Sequence, residues 1–231
     1  MMDVQVMRVF RTHRGSCGLP ARGSLVVRDA IPEISHARAQ ALWVLSRFGF
    51  RTGGSHSTLV EYVKLLRRFG VPFSPEERND RGHHRYIYRY EHLMEVAVAL
   101  SFRLHRILPW DVIKVLVEHR AQLRSIYRRA YLEREIGGGQ PVQIKIGSHK
   151  QFYAKGIYLD LNFSYVDDRL VSSRGPLARN AAEAIQIFIQ QSPGSQVRPP
   201  LPLSQLASEI IKLAPQAPPV REILKSFNSS G

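Results

Sequence analysis

The chain has 231 residues, a net charge of +14 and a pI near 10.4, and 44% of its residues are hydrophobic. The single cysteine, Cys17, excludes a disulfide framework and cysteine-pair metal sites within one chain. No apolar run reaches the roughly 18 residues that a bilayer span needs, and the N-terminal segment has no apolar core typical of a secretory signal. We therefore predict a globular cytoplasmic protein whose basic charge favours nucleic acid or another acidic surface.

Residues 1–33 mix arginine, glycine and proline without a lasting hydrophobic period, which predicts a flexible basic arm. The next region, residues 34–136, opens with a predicted helix capped by Ser35. The apolar face predicted for this helix consists of Ala39, Leu42, Trp43 and Phe48. Gly49 and the pair Gly53–Gly54 end the helix, because glycine tolerates the left-handed conformations of a tight turn.

A second helix is predicted next, with Ser55 or Ser57 as its cap. Its apolar stripe has spacings of three and four residues and consists of Leu59, Tyr62, Val63, Leu66 and Phe69. Basic residues lie on its other faces. Gly70 ends the helix, and Pro72 prevents its continuation. Two capped helices joined by a glycine turn predict a helix-turn-helix.

A polar connection over residues 74–81 precedes the segment HHRYIYRY at residues 83–90. Alternation of aromatic with basic residues is typical of a half-buried strand. Tyr86, Tyr88 and Tyr90 then share one face, and Arg85, Ile87 and Arg89 share the other. We predict a two-stranded wing with a basic tip.

The segment EHLMEVAVALSFRLHRI predicts another helix, and Pro109 opens a long helix that continues to about Ile136. An apolar stripe from Val112 to Tyr131 follows this long helix and requires a covering surface. Two arrangements cover it equally well. One is an antiparallel coiled coil between two copies through residues 110–136, and the other is packing against the chain's own C-terminal region.

The glycines at 137–139 mark a predicted boundary. Residues 140–191 predict a small β/α region, with short alternating strands and a helix from about Pro176 to Gln191. Residues 192–231 predict a proline-rich linker and tail with one short amphipathic helix. The predicted fold class is therefore mainly α: a winged helix-turn-helix with a long C-terminal helix, followed by a small α+β region.

The sequence lacks the patterns typical of enzymes, since GxxxxGK[ST], GxSxG and GxGxxG are all absent. His83 and His84 are adjacent, so their rings point to opposite sides of a strand and cannot easily share an ion. Asp160 with the pair Asp167–Asp168 offers a carboxylate cluster for magnesium, although the pair also fits an ordinary turn. We predict no enzyme activity, no metal site and no cofactor.

Four short motifs carry a family resemblance over residues 36 to about 120. TLVEY at 58–62 matches a recognition helix, FGVP at 69–72 its exit, GHHRY at 82–86 a wing, and PWDVI at 109–113 the helix after it. Together they resemble the winged helix-turn-helix of the MerR family. Val60 stands where that family usually has a recognition-helix arginine. The resemblance implies DNA binding and a dimer through the long helix, and it implies nothing about residues 140–231.

We predict a DNA-binding transcriptional regulator at the nucleoid, with double-stranded DNA as partner, a homodimer through residues 110–136 and no membrane association. The helix from Ser55 would enter the major groove while the wing contacts the phosphate backbone. The predicted DNA-binding residues are Ser55, His56, Ser57, Thr58, Tyr62, Lys64, Arg67, Arg68, Arg81, His84, Arg85 and Tyr86. Two alternatives stay open: a protein-interaction adaptor, and an RNA-binding factor that stacks bases on Tyr86, Tyr88 and Tyr90.

Overall fold

The computed structural model describes residues 31, 33–48, 56–79, 86–104, 109–133, 142–146, 149–153, 156–166, 169–190 and 200–228. Within these ranges the protein is mainly helical, with two small antiparallel sheets. Most of the predicted basic arm, the predicted glycine turn after the first helix and the predicted wing tip lie outside the described residues. No helix in the described ranges is long and apolar enough to cross a membrane.

The first two helices have the order that the sequence predicted. Helix α1 covers Arg38–Arg47 and helix α2 covers His56–Arg68. On α2 the predicted stripe is confirmed at its centre, where Tyr62, Val63 and Leu66 are buried. The face predicted for α1 was only partly right, because the buried residues of this helix are Ala41, Leu42, Val44 and Leu45. Helix α1 contacts four other helices, so it buries a wider face than one apolar stripe would predict.

The connection after α2 contains a short helix that the sequence did not predict. Gly70 ends α2 with a positive φ of 93°, and helix α3 covers Pro75–Asn79. The backbone N–H of Glu77 donates to Ser74 Oγ at 3.2 Å, and Ser74 N–H donates to Glu77 Oε2 at 2.9 Å. This reciprocal pair is a capping box, which stabilises the first turn of α3.

The predicted wing strand is present only as an isolated bridge in the described residues. Tyr88 pairs in the antiparallel sense with His36, the residue two positions before α1. Tyr90 already begins helix α4, Tyr90–Leu104. The predicted alternation survives this change, because Tyr88 and Tyr90 are buried while Ile87 and Arg89 are exposed. Among the described residues, the partner of Tyr88 is therefore the segment before α1, and the predicted wing tip lies outside them.

The single long helix predicted over residues 110–136 is wrong, because the chain bends at His119. Helix α5 covers Pro109–Glu118 and helix α6 covers Arg120–Leu132, with His119 between them at φ −108° and ψ 19°. The buried residues of α6 are Leu123, Ile126, Tyr127, Ala130 and Tyr131. Helices α4 and α8 cover them. Of the two predicted arrangements, packing against the chain's own C-terminal region is the one the structure contains.

The predicted β/α region forms two antiparallel sheets. Strands β1 (Val142–Ile146) and β2 (His149–Tyr153) pair with each other. Strand β3 (Ile157–Val166) lies between β4 (Arg169–Asn180) and β5 (Leu201–Pro202). Helix α7 covers Ala181–Gln190 and starts five residues later than predicted. Asn180 determines this start, because its Oδ1 accepts the N–H of Glu183 at 2.9 Å as an N-cap does.

Much of the predicted linker and tail is helical and packs into the core. Helix α8 covers Leu203–Leu213, a 3₁₀ turn follows at Ala214–Gln216, and helix α9 covers Val220–Asn228. Residues of α8 share one hydrophobic cluster with residues of α1, α2, α4 and α6. Helix α9 lies against α1, and Gln40 Nε2 donates to the carbonyl of Pro218 at 3.2 Å. The C-terminal region therefore contributes to the same core as helices α1 and α2.

Candidate nucleic-acid interface

The outward side of α2 is basic because its apolar stripe is turned toward the core. Lys64 is exposed and forms an ion pair with Glu61 on the same helix. Arg67 is half-buried and Arg68 is exposed, both in the last turn. Within the described part of the chain, no carboxylate forms an ion pair with either arginine. Their charge is therefore available to an external anion.

An aromatic stack fixes the position of Arg67. Its guanidinium carbon lies 4.3 Å from the centre of the Tyr86 ring, a cation–π contact. The Tyr86 ring in turn lies 4.8 Å from the buried ring of Phe73, centre to centre. Phe73 also meets Tyr88 at 5.0 Å and His92 at 4.7 Å. The cation is thus held by a chain of packed rings that begins in the core.

These groups surround an open cavity of about 270 Å³, which we call the basic recess. Its lining consists of Lys64, Arg67, Arg68, Phe73, Arg78 and Tyr86. Arg78 comes from α3, and its buried Nε has no hydrogen-bond partner among the residues that the structure describes. The recess therefore collects four basic side chains from two helices beside the aromatic stack.

Two arginines of α6 hold the turn that follows α2. Arg120 donates to the carbonyl of Gly70 and pairs with the buried Glu95 of α4 at 2.8 Å. One helical turn later, Arg124 donates to the carbonyl of Pro72 at 3.3 Å and pairs with Glu77 of α3 at 2.9 Å. Because each arginine contacts both a carboxylate and a carbonyl of the turn, α6 fixes the end of α2.

The titratable groups of this network have shifted pKa values. Burial opposes ionisation of Glu77, but hydrogen bonds from Arg124, Ser74 and His92 outweigh it and lower the pKa of Glu77 to about 2. Burial lowers the pKa of His92, whose Nδ1 accepts the N–H of Arg89 at 3.1 Å. Its Nε2 then carries the proton that faces Glu77. Burial raises the pKa of Glu95 to about 7, against the lowering effect of Arg120.

The predicted DNA-binding residues fall into three groups. Lys64, Arg67, Arg68 and Tyr86 come together at the basic recess. Thr58 is half-buried near the start of α2, and His56 and Ser57 belong to the first turn of the same helix. Ser55, Arg81, His84 and Arg85 lie outside the described residues. Tyr62 is a correction: its side chain is 5% exposed and belongs to the core, because it lies in the middle of the apolar stripe of α2.

Four residues that build this surface were not predicted from the sequence. Arg78 and Phe73 lie in the segment around a predicted polar connection, and the Ser74–Glu77 capping pattern was the available signal for a helix there. Arg120 and Arg124 have no such signal, because their partners are 25 to 52 residues away in sequence.

No protein-family model, curated protein or solved structure matches the chain. Among the described residues, no group of three histidine, cysteine or acidic side chains is placed to hold a metal ion. The basic surface and its geometry are therefore the observations from which a function can be inferred.

Proposed function

We propose that this protein is a DNA-binding transcriptional regulator of the winged helix-turn-helix type, in which α2 enters the major groove of duplex DNA. The observation that carries the proposal is the set of basic side chains on α2 beside Tyr86. Arg67 and Arg68 have no carboxylate partner in the described ranges, and Tyr86 holds Arg67 in place. Guanidinium groups fixed on one face suit contacts with successive backbone phosphates.

The proposal gives the two ends of α2 different tasks. The N-terminal turn, with His56, Ser57 and Thr58, lies near base edges, as recognition helices do. The C-terminal turn, with Arg67 and Arg68, contacts phosphates and fixes the orientation of the helix. The contact of α2 with α1 and the bridge between Tyr88 and the segment before α1 support this arrangement.

The RNA-binding alternative loses its main support in the structure. It requires free faces on Tyr86, Tyr88 and Tyr90 for base stacking. Tyr88 and Tyr90 are fully buried, and Tyr86 already contacts Arg67 and Phe73. A strand of stacking tyrosines is therefore not available, and we favour duplex DNA.

The dimer predicted through residues 110–136 rested on an apolar stripe that requires a covering surface. Helices α4 and α8 of the same chain cover the apolar stripe of α6. We propose that a single chain is the unit that contacts DNA. Sedimentation of the free and DNA-bound protein tests this, since a mass of two chains in either state would restore the dimer.

A salt titration of duplex binding tests the proposed function. If Lys64, Arg67 and Arg68 each neutralise one phosphate, they alone give a slope of log K against log [salt] of about −2.7. Arg67→Gln should reduce the slope by about 0.9. The matched control is Arg221→Gln, which removes the same charge from an exposed position on α9. No duplex binding, or binding that salt does not weaken, would refute the proposal and favour the adaptor.

Genome-wide footprinting of the tagged protein extends the same test to the cell. A regulator of this type should protect short duplex sites that share a sequence, and Arg67→Gln should weaken protection at all of them to a similar degree. A uniform loss is expected because phosphate contacts carry no sequence information. A footprint that is absent in cells would contradict the proposed nucleoid location.

A further inference from the structure

The basic recess has more positive charge than a single backbone phosphate requires. Lys64, Arg67, Arg68 and Arg78 all line one cavity of about 270 Å³. Glu61 pairs with Lys64, but no carboxylate pairs with the three arginines in the described ranges. Three guanidinium groups gathered without counter-charges repel one another, and a bound anion with several charges would relieve that repulsion.

Arg78 distinguishes the recess from an ordinary basic helix face. It belongs to α3 and not to α2, and its buried Nε has no hydrogen-bond partner in the described part of the chain. Its Nη2 lies against Gly70, 3.4 Å from the position that a Cβ would occupy there. Arg78 thereby adds to the lining of the recess a cation that does not belong to α2. A buried donor without a partner is costly, which makes this side chain a candidate ligand contact.

The aromatic groups of the recess restrict the chemistry of the ligand. Tyr86 already receives the guanidinium of Arg67 and packs against Phe73. Because its ring positions a cation, the recess is better suited to bind anionic oxygens than to stack a base. Phosphate oxygens accept several hydrogen bonds from guanidinium groups, often in pairs.

From these observations we propose that the basic recess binds an oligophosphate, either free or as the polyphosphate group of a nucleotide, and that this ligand competes with DNA. The binding step stands on the recess alone, whereas the competition rests on the proposed function. Competition follows because Arg67 and Arg68 line the recess and are also the proposed phosphate contacts of α2. A ligand that occupies these side chains removes them from the duplex.

The test uses tripolyphosphate as the probe and the full chain. Calorimetry measures its binding directly, and fluorescence anisotropy of a labelled duplex measures competition. Sodium sulfate at the same ionic strength is the control for screening, because every anion weakens DNA binding through salt. We expect tripolyphosphate to displace the duplex at an ionic strength at least tenfold lower than sulfate does. Equal displacement by the two anions overturns the proposal and leaves the proposed function untouched.

Arg78→Gln separates the recess from the DNA surface. We expect the affinity for tripolyphosphate to fall at least tenfold. The slope of log K against log [salt] for duplex binding should change by less than the roughly 0.9 that one phosphate contributes. Arg221→Gln, which removes the same charge on α9, should change neither. Equal losses of duplex and tripolyphosphate in Arg78→Gln would make the recess a DNA phosphate contact only and overturn the separate ligand. If that variant unfolds, the comparison of tripolyphosphate with sulfate on the unaltered chain still decides.

The two proposals fail in different ways. Tripolyphosphate binding without duplex binding would refute the regulator and retain the recess. Duplex binding without preference for tripolyphosphate would do the reverse. Adding ATP and AMP as further arms distinguishes the source of the phosphates, since the proposal expects ATP to bind at least tenfold more tightly than AMP. Similar affinities for ATP and AMP would overturn an oligophosphate site.

Discussion

Replacing Arg120 by methionine removes the cation that holds the buried carboxylate of Glu95 and the donor to the carbonyl of Gly70. The side chain of Glu95 is 1% exposed and that of Arg120 is 11% exposed, so solvent does not replace the lost contacts. Methionine retains much of the aliphatic length of arginine, which limits the cavity. The perturbation is therefore mainly electrostatic.

The loss of stability caused by Arg120→Met depends on pH because Glu95 titrates. Its pKa in the folded chain is raised from 4.5 to about 7, chiefly by burial. Removing Arg120 raises it further, because Arg120 lowers the pKa. A raised pKa means that stability is greatest at low pH and is lost as pH rises toward the folded pKa. The unaltered chain stops losing this contribution near pH 7, whereas the variant continues to lose about 1.4 kcal/mol for each further pH unit.

Urea unfolding followed by circular dichroism at pH 6 and pH 8 measures the effect. At pH 6, where Glu95 is largely neutral, we expect Arg120→Met to cost about 1–3 kcal/mol for the unsatisfied polar groups. At pH 8 we expect the cost to rise by about 1.4 kcal/mol. Equal m-values for the two chains would license the comparison of midpoints as stabilities.

Arg128 lies on the same helix as Arg120, is exposed and pairs with Glu91 of α4, so it supplies the matched control. Arg128→Met should cost less than about 1 kcal/mol, because exposed ion pairs contribute little. Adding Glu95→Leu to Arg120→Met should recover stability, since an apolar pair often replaces a buried ion pair without loss. A cost of Arg120→Met that is independent of pH, or a double variant no more stable than the single one, would refute this account.

Three further predictions concern other parts of the same structure. Glu77→Gln should destabilise the chain at pH 7, because the pKa of Glu77 is lowered to about 2 by hydrogen bonds that outweigh its burial. That contribution is present above pH 4.5 and is lost toward pH 2; discounted for partial exposure, it amounts to about 1–2 kcal/mol, and urea midpoints against pH measure it. Gly156→Ala should lower the melting temperature by roughly 4–8 °C or more, because Gly156 has φ 137° and a Cβ would lie 2.7 Å from Ser204 Cβ. Tyr86→Ala should weaken duplex binding by about threefold to tenfold with little change in the salt slope, since Arg67 keeps its charge but loses the ring that positions it.

Each of these predictions has a result that contradicts it. A destabilisation by Glu77→Gln that stays constant from pH 7 to pH 2 would show that the carboxylate charge contributes nothing. Gly175→Ala is the control for Gly156, because its Cβ would come no closer than 3.4 Å to the Gln122 side chain and 3.5 Å to the His119 ring. Equal melting temperatures for the two glycine variants would remove the steric argument. Unchanged duplex affinity in Tyr86→Ala would mean that the stack does not position Arg67 for DNA.

Local patterns predicted what local forces determine. The stripe of α2 follows from residues spaced three and four apart, and Gly70 and Pro72 end the helix as glycine and proline do. The alternation around Tyr88 is also confirmed, and its partner among the described residues is one that the sequence did not predict. An alternating pattern indicates which side chains face the core, but the backbone partner is selected elsewhere, here at His36.

Long-range packing determined the features that could not be predicted from the sequence. The stripe on α6 showed that a cover was required, but an apolar stripe is equally compatible with a second copy and with α8. The bend at His119 has no glycine or proline to signal it. The basic recess was equally hidden, because Arg78 enters it only through α3, a helix of five residues within a segment that looked like a loop.

The helix pair and the C-terminal region are mechanically linked through α6. On one side Arg120 and Arg124 hold the carbonyls at the end of α2. Farther along the same helix, the carbonyl of Ala130 accepts a hydrogen bond from Ser204 Oγ of α8, which itself accepts the N–H of Ile157 in β3. Helices shift as nearly rigid bodies, so a displacement of α6 by the C-terminal region would reach the basic face of α2. Duplex affinity should therefore depend on residues of α8 that lie far from the DNA in the proposed complex.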